Sequence, residues 1–144
     1  MNIQHILATK GAHVITIGPE QTIREALDLF IRHNIGALVV LDDSGQLLGV
    51  LSERDILRAA PSDEAIFSQL VSAVMSRDIV TAVPQDDLMS VANTMTEMRI
   101  RHLPVMDQGR VVGIVSIGDV VKAQRDQYRG EVETLQTQLL ADAI

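Results

Sequence analysis

The chain contains no cysteine and no tryptophan, and only one tyrosine and two phenylalanines among its 144 residues. Without cysteine there is no disulfide, no thiolate metal site and no thiol nucleophile, which fits a reducing compartment. With aromatics at 2%, the core must be built from Val, Ile, Leu, Met and Ala. The stacking platforms on which single-strand nucleic-acid binders rely are nearly missing. Positive charge is also scarce: 12 Lys and Arg stand against 19 Asp and Glu, for a net charge of −7. A nucleic-acid footprint asks for the opposite sign, so that partner class is disfavoured. No apolar run approaches the roughly 20 residues of a membrane span, and Met1-Asn2-Ile3-Gln4-His5 carries no basic leader. The expectation is a cytoplasmic protein without a membrane partner. Catalytic patterns are missing as well: there is no G-x-S-x-G elbow, no H-E-x-x-H and no P-loop, and His5, His13, His33 and His102 lack metal-ligand spacing. The chain is not expected to be an enzyme or to hold a metal.

What the chain does contain is a repeat. With Pro19 set on Pro84, Ile35 falls on Ile100, Leu38 on Leu103, Val40 on Val105 and Asp42 on Asp107. After a one-residue gap in the turn, Gly45 falls on Gly109, Gly49 on Gly113, Ser52 on Ser116, Asp55 on Asp119 and Ala59 on Ala123. Each copy parses alike. A short apolar strand, Val14-Ile15-Thr16-Ile17 or Ile79-Val80-Thr81-Ala82-Val83, ends at a proline. A helix follows, opened in copy one by the capping box Thr22-x-x-Glu25 and in copy two by Asp87. Two strands joined by a turn come next, Ala37 to Leu41 with Leu47 to Leu51, and His102 to Met106 with Val111 to Val115. A further helix then starts at Ser52 or Ser116. Neither unit can bury its apolar face alone, and two facing copies can. The fold class expected is therefore α/β (α+β), two βαββα-type repeats packed with pseudo-twofold symmetry around two related clefts. The boundaries expected are repeat 1 over 1–60, a partly helical connector over 61–73, repeat 2 over 74–124 and a helical tail over 125–144. In that tail Val121, Tyr128, Val132, Leu135 and Leu139 step mostly by three and four, and Gly130 interrupts the pattern. Two readings stay open: packing on its own domain, or a seam for a second chain.

The residues that could carry chemistry lie at two places. The first is Gly49-Val50-Leu51-Ser52-Glu53-Arg54-Asp55 and its counterpart Gly113-Ile114-Val115-Ser116-Ile117-Gly118-Asp119. S-x-x-D at a strand-to-helix junction is an ordinary capping box and needs no ligand. Its duplication at a helix N-terminus, where free N–H groups and partial positive charge suit an anion, also admits a binding role. A carboxylate there can accept two hydrogen bonds from a ribose diol. The second place is Arg99-Ile100-Arg101-His102-Leu103-Pro104, which concentrates cationic groups before a buried strand and suits either solvent or a phosphate. Copy one has Asn34-Ile35-Gly36-Ala37 there, so one cleft is basic and the other small and neutral.

These residues resemble the cystathionine-β-synthase (CBS) domain family in its tandem form, the Bateman module, over nearly the whole chain. The stretch Val74-Met75-Ser76-Arg77-Asp78-Ile79-Val80-Thr81, the segment Arg101-His102-Leu103-Pro104-Val105 and both G-x-x-S-x-x-D turns carry the likeness, which is to stand-alone bacterial signalling pairs. The resemblance implies a regulatory sensor that binds adenosine compounds (AMP, ADP, ATP, NAD or S-adenosylmethionine) between the repeats. It implies one site in which Asp55 holds the ribose, Ser52, Arg54, Arg101 and His102 reach phosphate, and Val80, Ile100 and Pro104 sandwich the base. It implies a second site built from Ser116 and Asp119 with Ile15, Ile35, Gly36 and Ala37. It also implies a homodimer that signals through an effector protein. The competing expectation is a structural dimerisation module with vestigial clefts.

Overall fold

The computed structural model describes residues 1–11 and 13–143. The elements in chain order are α1 (Ile3–Lys10), β1 (Thr16–Ile17), α2 (Ile23–His33), β2 (Ala37–Leu41), β3 (Leu47–Ser52), α3 (Glu53–Ala59), α4 (Val71–Val74), α5 (Leu88–Met98), β4 (His102–Asp107), β5 (Arg110–Ser116) and α6 (Ile117–Asp142). Two short 3-10 turns, Ala60–Ser62 and Ile66–Ser68, lie in the connector. The architecture is α+β, with a small sheet and its helices in each half.

In the first half β1 runs parallel to β2, and β2 pairs antiparallel with β3. The second half repeats the hairpin as β4 and β5, but its first strand shrinks to one parallel bridge, Ala82 to Val105. The reason is chemical. The pairing of Thr16 with Val39 needs the Val39 N–H as a donor, and the residue at that place in copy two is Pro104, which has none. The expected strand over 79–83 is thus reduced to the Ala82 N–H donating to the Pro104 carbonyl at 2.9 Å and the Met106 N–H donating to the Ala82 carbonyl at 2.8 Å.

The helices start where short polar side chains can accept from free N–H groups. Thr22 accepts from the Glu25 N–H, and Asp87 from the N–H groups of Met89 and Ser90. The Glu25 carboxylate accepts from the Thr22 hydroxyl at 3.3 Å and from the Gln21 side-chain amide at 2.8 Å. Helices α2 and α5 both end on a left-handed residue, Asn34 at φ 51° and Arg99 at φ 55°. That turn delivers each chain directly into its next strand.

Each half has its own apolar cluster. Ile17, Ile23, Ala26, Phe30, Leu38, Val40 and Leu51 anchor one; Leu88, Val91, Met95, Leu103, Val105 and Val115 anchor the other. Helix α1 has no counterpart in the sequence expectations, and its side chains Ile3, Ile6 and Leu7 are buried in the second cluster. It enters there as α4 enters the first. The Ile3 and Gln4 N–H groups donate to the Asp86 and Pro84 carbonyls, and the Val71 and Ser72 N–H groups donate to those of Gln21 and Pro19. Each repeat is therefore completed by the segment that precedes the other one. The two close approaches explain Gly49 and Gly113. A Cβ on Gly49 would sit 2.7 Å from the Ser76 carbonyl oxygen, and one on Gly113 would sit 2.5 Å from Leu7 Cδ2.

Candidate ligand-binding cleft

The junctions between β3 and α3 and between β5 and α6 have the same local chemistry. Ser52 accepts from the Asp55 N–H while the Asp55 carboxylate accepts from the Ser52 N–H at 2.8 Å, a closed capping box. Ser116 and Asp119 close the second in the same way. The first helical N–H of each, Glu53 and Ile117, donates to the entry of the opposite hairpin strand, the Gly36 and Arg101 carbonyls. Both boxes are thus caps, whatever else they do.

They differ in what lies over the acid. At the first junction the Ser76 hydroxyl donates to Asp55 at 3.0 Å, and the Ser76 N–H donates to the Val50 carbonyl at 2.9 Å. At the second, the Lys10 ammonium makes both equivalent bonds, to Asp119 at 2.6 Å and to the Ile114 carbonyl at 2.8 Å. Burial pulls the Asp119 carboxyl upward, but the Lys10 ammonium and the Ser116 N–H outweigh it and hold the group below the usual carboxylate range.

A cleft of about 500 Å³ opens beside Asp55, within the size range of small-molecule sites. Ser52, Arg54, Asp55, Val80, Ile100, Arg101, His102 and Pro104 all line it. So do Gly36, Glu53, Arg58, Ser76, Asp78, Ile79, Met98 and Arg99, together with Val50. Four arginines and a histidine thus meet three acids in a chain that is acidic overall. Arg58 lies one helical turn after Arg54, so an i, i+4 reading of α3 would have found it. Ser76 and Asp78 arrive from the stretch between α4 and α5, which no local pattern links to this cleft.

The residues expected for a second cleft are not brought together in the same way. Gly36 instead lines the first, where an added Cβ would come within 3.7 Å of His102 Cε1 and 3.6 Å of Glu53 Cδ. Ile15, Ile35, Ala37, Ser116 and Asp119 line neither this cleft nor the smaller cavity of about 180 Å³ between Thr81, Asp86 and Thr94. Lys10 of α1, a helix outside the repeat, fills the position over Asp119 that Ser76 fills over Asp55. His102 feels both sides. Burial lowers its pKa, Lys10 and Arg101 lower it further, and Asp119 and Glu53 pull it upward without cancelling the drop.

The pattern of the CBS domain matches residues 5–62 and 71–126. The chain belongs to the CBS-domain family. A CBS-domain-containing protein of Agrobacterium tumefaciens is 40% identical and superposes with a TM-score of 0.83, covering 85% of this chain and 92% of its own. The CBS-domain-containing protein YhcV of Bacillus subtilis is 38% identical over 81% of this chain and 82% of its own length. The CBS domain pair of protein MJ0100, solved in complex with 5′-methylthioadenosine and S-adenosyl-L-methionine, is 29% identical with a TM-score of 0.79, covering 88% of this chain and 98% of its own. This CBS pair therefore shares its fold with a relative whose structure contains adenosine compounds. No helix among the described residues is long and apolar enough to cross a membrane.

Proposed function

We propose that this CBS pair is a regulatory sensor, with no reaction of its own, that takes one phosphate-bearing adenosine ligand (AMP, ADP, ATP or NAD) per chain in the Asp55 cleft. The observation that carries the reading is the lining of that cleft: a carboxylate at a helix N-terminus on one wall, and Arg54, Arg58, Arg99 and Arg101 around it. Asp55 accepts from the ribose hydroxyls in place of the bond it receives from Ser76. The arginines and the α3 N-terminus balance phosphate charge. Val80, Ile100 and Pro104 supply apolar surface for the base. The net basic lining favours a phosphate ester over the sulfonium of S-adenosylmethionine. The module acts as a homodimer in the cytoplasm and passes its ligand state to an effector protein.

For the second half, the Lys10–Asp119 pair favours the other reading, a junction kept for structure. Calorimetric titration of nucleotide-stripped protein with AMP, ATP, NAD and S-adenosylmethionine tests both. One site per chain, tighter for the phosphates, is expected. No binding of any of the four up to millimolar concentration would sink the sensor reading.

A further inference from the structure

Helix α6 is 26 residues long, about 39 Å at the usual rise of about 1.5 Å per residue. Only its start packs on the module: Val120 is fully buried, and Ala123 and Gln124 are half-buried. The remainder projects, and Gly130 does not break it, contrary to the interruption expected from the sequence. Such a segment with a mid-helix glycine is marginal alone in water. Yet it carries a stripe with strict 4-3-4-3-4 spacing: Val121, Arg125, Tyr128, Val132, Leu135 and Leu139. Tyr128, Leu135 and Leu139 are 69%, 59% and 68% exposed. Gly130 lies on the opposite side of the helix, where an added Cβ would meet nothing within 4 Å.

Charge along the same helix is segregated. Lys122, Arg125 and Arg129 lie before Gly130 with Asp126 and with Asp119, which is paired to Lys10, and Glu131, Glu133 and Asp142 lie after it with no basic residue. A second copy running antiparallel sets the basic half of each helix on the acidic half of the other. It also resolves the charged position of the stripe, Arg125, and Asp142, which continues the spacing three residues beyond Leu139. Arg125 meets the partner's Asp142, Tyr128 meets the partner's Leu139, and Val132 meets the partner's Leu135. A parallel pair would instead set Arg125 on Arg125 and Asp142 on Asp142 at both ends of the seam. The short contact of Arg125 with Asp126, 3.5 Å and solvent-exposed, competes only weakly.

We propose that α6 is a self-association surface whose occupant is the α6 of a second copy, antiparallel and in this register. This rests on the sensor reading only in taking the chain to be a homodimer; it is silent on the ligand. Light scattering and sedimentation equilibrium on the full chain test it. The wild type should be a dimer at micromolar concentration. Leu135→Glu with Leu139→Glu should be a monomer with an unchanged circular-dichroism melt of the module. Arg125→Asp should weaken the dimer about tenfold, since it sets two like-charge pairs in the seam, and adding Asp142→Arg should restore it. A monomeric wild type, or a dimer that survives the double glutamate variant, overturns the proposal. An Arg125→Asp dimer of unchanged affinity overturns the antiparallel register. AMP titration of the same samples separates this outcome from failure of the ligand reading.

Discussion

The junctions at Asp55 and Asp119 share a sequence motif, a capping box and a backbone bond to the entry of the other strand of their own hairpin, and they differ in one occupant. Over Asp55 the stretch after α4 presents a serine, which leaves a carboxylate half-buried at the wall of an open cleft. Over Asp119 helix α1 presents a lysine, which makes the bonds that serine makes and adds a charge. The lesson concerns duplicated sites in general. Copying a motif copies the cap, because the cap is local, and does not copy the cleft, because the cleft is finished by chain from outside the repeat.

The largest expected effect separates the two acids directly. Asp55→Ala should weaken AMP binding by about tenfold to a hundredfold, since hydrogen bonds to a charged acceptor contribute roughly 1.5–3 kcal/mol. Asp119→Ala should change the affinity by less than about twofold on the same scale. Calorimetry on both variants checks this, with Asp55→Asn as the control that keeps the cap. Comparable losses in the two would abolish the distinction. Arg101→Ala, in the same assay, should cost AMP far more than adenosine.

The glycines offer a test of packing across the same comparison. Gly49→Ala drives a Cβ into the backbone carbonyl of Ser76, whereas Gly113→Ala meets the tip of the Leu7 side chain. A carbonyl held by the Val50 N–H at 3.1 Å cannot yield, and a leucine rotamer can. Overpacking costs about 1–3 kcal/mol, so Gly49→Ala should fall in the upper part of that range and Gly113→Ala in the lower. Denaturant melts that rank them the other way would refute the rigidity assigned to the Ser76 carbonyl.

Lys10→Met should cost about 1 kcal/mol or less, because the Lys10 and Asp119 side chains are 35% and 24% exposed and solvent screens the pair. Its more informative result is stoichiometric: with Asp119 uncovered, a second and weaker AMP site should appear in titration. A count that stays at one would mean that Lys10 is not what closes that half.

The smallest effects are pH-dependent, and they too have a side. The Asp119 carboxyl is depressed in the folded chain, so its contribution is present above the ordinary carboxylate pKa and is lost as the pH falls through its folded value. His102 is depressed as well. The unfolded chain therefore takes up a proton that the folded chain refuses, and stability declines as the pH drops below the ordinary imidazole value. A bound phosphate should reverse this refusal. AMP, and not adenosine, should bind a few-fold tighter at about pH 6 than at about pH 8, with proton uptake visible as buffer-dependent heat. Lys10→Met should raise the His102 pKa, as followed by NMR titration.

Much of this was legible before any coordinates. Eight residues expected at one cleft from the sequence, Ser52 and Asp55 on one repeat and Arg101, His102 and Pro104 on the other among them, do line one cleft. They were legible because repeat alignment sees strand ends, turns and caps, which are local. Pro104 could have warned that the parallel strand before it would shorten, since a missing N–H is written in the residue itself. Helix α1 was illegible for a different reason. It has only eight residues, too short a window to show a period, and the helix that corresponds to it, α4, is offset from it by three residues more than the repeats are from each other. Gly36, expected with Asp119, lines the Asp55 cleft beside Glu53 and His102, a contact across the repeats that local spacing does not show.

By itself the sequence determined the duplication, the caps at Ser52 and Ser116, and the excess of arginine on one side of the molecule. These follow from short-range rules: period, propensity and the hydrogen-bond needs of a helix end. Only the tertiary structure decided which acid stays open. That choice depends on Lys10 and Asp119, 109 residues apart, meeting because α1 buries Ile3, Ile6 and Leu7 in the opposite half. Burial of an apolar face is blind to chain order, so nothing in the motif itself could foretell which segment would come to cover it.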